Sequence, residues 1–167
     1  MFKSLALAVL GAAALLATAS APAVAATASA NAGATIVAAI AISKTADLSF
    51  GNVVAGGSGG TVVLSTAGSR SVTGGATLGN AGSTAAASFT VSGEASATYA
   101  ITLPSSTSIT SGGNNMTVNT FTSNPSSTGT LSGAGSQTLS VGATLNVGAS
   151  QATGTYTGSF DVTVAYN

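Results

Sequence analysis

The sequence predicts an all-β protein. After residue 25, short β-branched and apolar runs alternate with glycine-rich turns, and apolar residues nowhere recur with the period of a helix. Two segments, one towards each end of the chain, instead alternate with period two, as strands with one buried face do. These patterns are typical of a β-sandwich or a closed sheet.

Turn residues bound the predicted strands. Paired glycines, which supply the positive-φ positions that tight turns require, occur at 56–57, 59–60, 74–75 and 112–113. Pro104 and Pro125 lie at a strand end and in a loop, where a missing backbone donor does no harm. The Ser/Thr-rich stretch 122–136 is predicted to be a long exposed loop. The predicted strands are 34–43, 48–54, 61–65, 86–92, 98–104, 116–121, 137–147 and 154–166.

The first 25 residues have the pattern of a signal peptide. Lys3 supplies a positive start, and Leu5 to Leu16 is an apolar run too short to span a membrane. Ala23-Val24-Ala25 is a small-residue cleavage site. The mature chain is therefore expected to begin at Ala26 and to contain no membrane span. A Gram-negative bacterium is expected to secrete it into the periplasm and then to the cell surface.

The composition argues against catalysis. The chain has no His and no Cys, and only three Asp or Glu, which are Asp47, Glu94 and Asp161. General acid–base, nucleophilic and metal-dependent catalysis draws mostly on His, Cys and clustered carboxylates. The sequence therefore predicts no enzyme, no cofactor and no metal site. Because it also lacks a basic patch, we expect no nucleic acid among its partners.

The mature chain suits one domain with a small core. Val, Ile, Leu and Phe make up 28 of the 142 residues after residue 25, and without Cys no disulfide can form. Stability is therefore expected to come from β-ladders and one thin core.

The C-terminal segment alternates most clearly. Its even-numbered positions, predicted to share the buried face, are Tyr156, Gly158, Phe160, Val162, Val164 and Tyr166. The odd-numbered positions are polar or small. This pattern predicts a half-buried strand that continues to the end of the chain.

Apolar and polar residues alternate over a long distance in the segment 26–43. Even positions are Ala as far as 34 and then include Ile36, Ile40 and Ile42, while odd positions begin as Thr, Ser, Asn or Gly. Eighteen extended residues span about 60 Å at about 3.3 Å each, whereas a typical strand has about 5–6 residues. Part of this N-terminal extension is expected to reach beyond a domain formed by residues 44–167.

At these two ends the sequence resembles the bacterial chaperone–usher pilus subunits, especially the archaic, spore-coat-U-like branch. More closely, it resembles a family of exported bacterial domains of unknown function. That family shares a Leu-x-Phe-Gly motif, here Leu48-Ser49-Phe50-Gly51, and a Gly-x-Tyr-x-Gly-x-Phe-x-Val-x-Val-x-Tyr ending, here Gly154 to Tyr166. Pilus subunits also carry a penultimate aromatic residue and a glycine fourteenth from the C-terminus, the positions of Tyr166 and Gly154 here.

The resemblance implies an immunoglobulin-like β-sandwich that lacks a strand and is completed by donor-strand exchange. The implied product is a pilus-like fibre, a homopolymer or a polymer with related subunits, with a periplasmic chaperone and an outer-membrane usher as assembly partners. The implied donor is the segment 26–43, anchored by Ile36, Ile40 and Ile42. The implied C-terminal assembly strand carries Gly154, Tyr156, Phe160, Val162, Val164 and Tyr166.

A self-contained exported β-sandwich that binds a polysaccharide or another surface ligand is the alternative. The chain has three Tyr and no Trp. So few aromatic residues weaken this reading, because sugar binding favours exposed stacking rings.

Overall fold

The computed structural model describes residues 22–80 and 82–167. Of the predicted signal peptide, 1–25, residues 1–21 lie outside the described residues. The chain divides into two units, Met1–Thr35 and Ile36–Asn167. In the first unit, residues 22–35 are exposed and have no regular secondary structure.

The second unit is built from antiparallel β-strands, which confirms the all-β, sandwich-like fold predicted from the sequence. The first seven strands are β1 (Ala41–Ala46), β2 (Ser49–Phe50), β3 (Val53–Val54), β4 (Gly60–Leu64), β5 (Arg70–Gly74), β6 (Thr77–Leu78) and β7 (Thr84–Ala85). The others are β8 (Ala87–Ser92), β9 (Thr98–Thr102), β10 (Ser106–Ser111), β11 (Asn114–Asn124), β12 (Thr128–Thr130), β13 (Ser136–Val147) and β14 (Thr163–Tyr166). No helix among residues 22–80 and 82–167 has the length and apolar character needed to cross a membrane.

The largest sheet has seven strands arranged around β13. Along one edge of β13, β8 pairs with residues 136–141 and β4 with residues 143–147; β1 and β5 extend these two branches. Along its other edge lie β11 and then β10. Gly142 lies between the branches, where a Cβ atom would overlap the Leu64 carbonyl oxygen. The sheet therefore divides at Gly142 into two branches.

The first apolar cluster lies between the β8 branch and a three-stranded sheet with the order β12-β9-β14. Its buried members are Ala87, Val91, Tyr99, Leu131, Leu139 and Val141. Side chains of both layers interdigitate here as in a sandwich.

The second apolar cluster lies on the β4 branch. Its buried members are Val62, Ala76, Val118, Ala143, Leu145 and Val147. Segment 48–55 packs against it with only two short strands, β2 and β3, which pair with β7 and β6. This end of the sandwich therefore has a less complete second layer than the other. Leu48 and Phe121 pack on both clusters.

The predicted strands at 61–65, 86–92 and 137–147 agree with β4, β8 and β13 to within one residue. The predicted loop at 122–136 is wrong. It contains the end of β11 and all of β12, and its Leu131 is 2% exposed in the first cluster. The pairing of β12 with β9 is a tertiary contact that a Ser/Thr-rich composition does not reveal.

Candidate functional site

An open groove of about 1010 Å³ lies over the second cluster and the adjoining part of the first. Its sides are segments 48–55 and 151–160, which we call the first wall and the second wall. Its floor is formed by Ala87, Phe89, Ile109, Met116, Val118, Leu145 and Val147. Because the floor is apolar, the groove favours an occupant with apolar side chains.

Arg70 holds the first wall in place. Its Nη1 donates hydrogen bonds to the carbonyl oxygens of Phe50 (2.8 Å) and Asn52 (3.0 Å). Gly51, between these residues, has a φ of 66°, which glycine adopts without strain. The wall packs on the second cluster through Leu48, Phe50, Val53 and Ala55. The Leu48-Ser49-Phe50-Gly51 motif therefore forms part of the groove.

The second wall lies close to β10 because two of its residues are glycines. A Cβ atom on either Gly154 or Gly158 would overlap atoms of β10. One isolated bridge, between Thr110 and Thr157, joins the wall to β10, with backbone hydrogen bonds of 2.9 and 3.1 Å. Among the described residues, the wall has no other bridge or ladder. Much of its backbone is therefore outside the sheet.

Gln151 and Tyr156 brace the second wall. Gln151 Nε2 donates to the Asn115 carbonyl oxygen (3.2 Å) and to Tyr156 Oη (2.9 Å). The Tyr156 hydroxyl in turn donates to the Ala152 carbonyl oxygen at 2.8 Å. These side chains hold the wall in a shape that differs from a regular strand.

The structure divides the predicted C-terminal strand between the groove and the first cluster. Gly154 and Tyr156 lie in the second wall. Phe160 lines the groove and also packs on the first cluster, with its ring centroid 4.9 Å from that of Phe121 and 6.5 Å from that of Phe89. The remaining residues, which pack on the first cluster, are Val162, Val164 and Tyr166.

The three isoleucines predicted to anchor a donated strand have different surroundings. Ile36 is 97% exposed. Ile40 and Ile42 are half-buried against the first cluster, and Ile42 is the cross-strand partner of Val91 in β8. The structure therefore packs Ile40 and Ile42 against the first cluster of their own domain and leaves Ile36 in solvent.

Sequence reasoning missed a contact that joins Ala38, Glu94 and Tyr166, which we call the clamp. The Tyr166 hydroxyl donates a hydrogen bond to the Ala38 carbonyl oxygen (2.8 Å) and accepts one from the Glu94 N–H (2.6 Å). The Ala38 N–H donates to Glu94 Oε2 at 3.1 Å. The alternation predicted an inward-facing Tyr166, but no local pattern connects positions 38, 94 and 166.

Charged side chains lie in separate places. Lys44 and Asp47 form an exposed ion pair with a distance of 2.5 Å, whereas Arg70 and Glu94 bond to backbone groups. Within the part of the chain that the structure describes, no three His, Cys, Asp or Glu side chains lie together as a metal site would require. Arg70 and Glu94 thus fix segments of the backbone, whereas the Lys44–Asp47 ion pair lies exposed along the groove.

Tyr99 is fully buried in the first cluster, and its hydroxyl donates to Gln137 Oε1 at 2.7 Å. Burial raises the pKa of Tyr99 above its ordinary value of 10.0, because it disfavours the charged phenolate. Gly129 faces the ring, where a Cβ atom would overlap it. Tyr99 is therefore a buried structural side chain and is not among the residues that line the groove.

The outer face of the seven-stranded sheet carries rows of hydroxyl and amide side chains. The ladder registers place one row across β5, β4, β13, β11 and β10: Thr73, Thr61, Asn146, Thr117 and Ser108. Thr61 Oγ1 lies 2.7 Å from Thr73 Oγ1, and Asn146 Nδ2 donates to the Thr117 carbonyl oxygen at 3.2 Å. The adjacent row is Ser71, Val63, Thr144, Asn119 and Ser106. Apart from Val63, which is 39% exposed, this part of the surface is polar, and it carries no charge.

Comparison with protein families gives a match over most of the chain. No curated protein and no solved structure matches this chain. Residues 40–166 match a family described as a domain of unknown function, DUF4402. The matched region contains both walls, the groove floor and two clamp residues, and it begins after Ile36 and Ala38. Because the match covers most of the sequence, the chain belongs to the DUF4402 family.

Proposed function

We propose that this protein is an exported structural subunit of a pilus-like surface fibre, assembled when the extended N-terminal segment of one copy enters the groove of the next. The groove is the observation that carries the proposal. Partly buried Ile109 and Met116 on its floor, and Leu48 and Val53 on its first wall, are available to an incoming apolar face. Burial of this surface would contribute about 25 cal/mol per Å².

The backbone of the second wall supports the same proposal. Its single bridge to β10, at Thr157, leaves neighbouring peptide groups outside any ladder of the described residues. Unpaired backbone groups at the edge of a sheet can pair with an added strand, and pockets beneath that strand then select its side chains. An inserted segment would extend both the hydrogen bonding and the apolar core.

The N-terminal segment has the properties of a donor. Residues 22–39 are exposed, and none belongs to a strand. Within this segment Ile36 is 97% exposed and Val37 is 54% exposed. The even-numbered alanines from 26 to 34 give the rest of the segment one small apolar face. Because alanine side chains are small, this face would fit a shallow part of a groove, whereas the larger Ile36 side chain would fit a deeper part.

Assembly partners follow from the same groove. An exposed apolar surface favours aggregation during export. A periplasmic chaperone that covers the groove until the next subunit arrives, followed by an outer-membrane usher that organises assembly, is therefore part of the proposal. The expected product is a homopolymer or a fibre with related subunits at the cell surface.

A charge at Ile36 tests the proposal. We expect Ile36→Asp to abolish fibres, because an unpaired carboxylate would have to enter the apolar groove. Since Ile36 is in solvent, the variant should fold like the wild type. Thr35→Asp is the matched control, because it adds the same charge on the opposite face of the alternation. Electron microscopy and sedimentation of surface material measure the result; fibres of normal length from Ile36→Asp would contradict the proposal.

A second candidate function is the binding of a neutral polysaccharide by a self-contained domain. The uncharged rows of Ser, Thr and Asn on the outer sheet face favour it, because hydroxyl and amide groups both donate and accept hydrogen bonds. This candidate requires a monomer that sediments with an insoluble neutral polysaccharide, whereas strand donation requires fibres. The same sedimentation experiment therefore distinguishes the two.

A further inference from the structure

We propose that the clamp of Ala38, Glu94 and Tyr166 sets the point at which the N-terminal segment becomes available for donation. Residues N-terminal to Ala38, which we call the arm, would enter another copy, while Ile40 and Ile42 stay in their own subunit. The destination of the arm rests on the proposed function; the clamp itself does not.

The backbone polar groups of Ala38 have partners in the folded domain. Its N–H donates to Glu94 Oε2 (3.1 Å) and its carbonyl oxygen accepts from the Tyr166 hydroxyl (2.8 Å). A residue in a strand offers its N–H and carbonyl groups to a neighbouring strand. Both groups of Ala38 are already bonded within the subunit. A donated strand that included Ala38 would therefore have to break the clamp.

The clamp side chains are themselves held by the domain. Tyr166 lies in β14 opposite Tyr99, and its hydroxyl also accepts from the Glu94 N–H at 2.6 Å. Gly93 makes this approach possible, since a Cβ atom there would overlap the Tyr166 hydroxyl. The Gly93 N–H donates to the Gly135 carbonyl oxygen at 2.9 Å, which fixes the loop before Glu94. The bonding partners of Ala38 are thus attached to two different sheets.

The packing that follows Ala38 argues against donation of the next residues. Ile40 and Ile42 are half-buried on the first cluster, and β1 is paired with β8 from Ala41 onward. Removal of this segment would expose apolar side chains and an edge of the sheet. The large apolar side chains left for donation next to the clamp are Ile36 and Val37, of which Ile36 is the more exposed.

The direction of β1 favours another copy as the acceptor. Its first residue, Ala41, is paired with Ser92, and its last, Ala46, is paired with Ser88. Ala46 lines the groove, whereas the chain enters β1 from the clamp, at the opposite end of the strand. The arm therefore joins its own domain at the clamp end of β1 and not at the end that lines the groove.

Hydrogen–deuterium exchange tests the clamp in the mature chain. Tyr166→Phe keeps the ring in the first cluster and removes only the hydroxyl, so the fold should be retained. We expect exchange in residues 38–42 to become about 5- to 10-fold faster, as the loss of one or two hydrogen bonds implies. Tyr156→Phe is the matched control, because its hydroxyl bonds Ala152 in the second wall. Unchanged exchange at 38–42 in Tyr166→Phe would overturn the clamp.

Peptide competition tests the limit of the arm. A peptide of residues 26–37 should shorten fibres of the mature chain, and a peptide of residues 38–46 should not. If only the 38–46 peptide shortens them, the inference is wrong while the proposed function stands. If neither peptide does so and the mature chain is monomeric, the proposed function is wrong, and the exchange experiment alone decides the clamp.

Discussion

Tyr99 shows how a small core can still contain a polar group. The ring fills the first cluster without exposure, and Gln137 satisfies the hydroxyl, so no buried polar atom is left unpaired at this point. The absence of a side chain on Gly129 gives the ring its space. The tyrosine hydroxyl thereby joins β9 to β13 by a hydrogen bond that no aliphatic residue in the first cluster could make.

The buried hydroxyl makes stability depend on alkaline pH. Because the folded-state pKa of Tyr99 is raised, the unfolded state loses its proton first as pH rises above about 10. The contribution of Tyr99 to the free energy of unfolding is therefore complete below that pH and declines above it. We expect Tyr99→Phe to lower the free energy of unfolding by about 1 kcal/mol at neutral pH and to reduce the alkaline decline. Urea unfolding between pH 7 and pH 11 measures both effects, and an equally steep decline in Tyr99→Phe would refute this role.

In the C-terminal segment, alternation predicts which side chains face the core but not which residues pair with another strand. Most of the predicted inward face is observed, since Tyr156, Phe160, Val162, Val164 and Tyr166 are all more buried than their neighbours, whereas Gly158 is exposed. The predicted continuous ladder is not, because only 163–166 pairs with β9. Alternation reports which side chains face the core, whereas pairing depends on where a neighbouring strand lies. For residues 151–160 the neighbour is β10, and their hydrogen bonding outside the one bridge is largely through side chains.

Strands without an apolar pattern could not be predicted. In β10, the sequence Ser106–Ser111 has Ile109 as its one large apolar residue, and in β5 the one such residue is Val72. Both strands lie at the ends of the seven-stranded sheet, and both are paired by registers that their composition does not reveal. Conversely, the predicted strand at 34–43 begins only at Ala41, because the clamp already bonds the backbone of Ala38.

Gly142 and the bulge opposite it form the branch point of the large sheet. The register of β11 with β13 shifts between Asn119 and Thr122, and Thr120 has a φ of 49°, which is unusual for a β-branched residue. Phe121, in the bulge, packs on both clusters. The bulge and the glycine thus allow one sheet to pack against the β12-β9-β14 sheet with one branch and against segment 48–55 with the other.

Substitution at this branch point should be costly. We expect Gly142→Ala to lower the free energy of unfolding by about 1–3 kcal/mol, because the new methyl group would overlap the Leu64 carbonyl oxygen and force β4 away from β13. Gly133→Ala is the matched control, since a Cβ atom there meets nothing within 4 Å. Chemical denaturation of both variants measures the difference. Equal free energies of unfolding for Gly142→Ala and Gly133→Ala would mean that the two branches can separate at residue 142 without strain.

The groove itself could be anticipated only in part. The Leu48–Gly51 and Gly154–Tyr166 motifs predicted an incomplete sandwich by resemblance, and the structure places residues of both motifs beside the groove. The roles of Arg70, which fixes the first wall, and of Glu94, which bonds Ala38, were not predicted. Isolated charges have no sequence pattern, and their partners here are backbone groups 18 to 56 positions away.

Under the proposed function, a thin core next to an apolar groove would make the stability of one copy depend on its neighbours. If arms bind grooves, each native subunit gains stability from the others by mass action. The melting temperature of the mature chain should then rise with its concentration, by about 3–5 °C for each tenfold increase once binding is extensive. Ile36→Asp should melt at a temperature independent of concentration, because its arm carries a charge that the groove excludes. Differential scanning calorimetry over a hundredfold range of concentration measures both proteins. A wild-type melting temperature that stays constant over that range would show that the groove does not receive the arm of another copy.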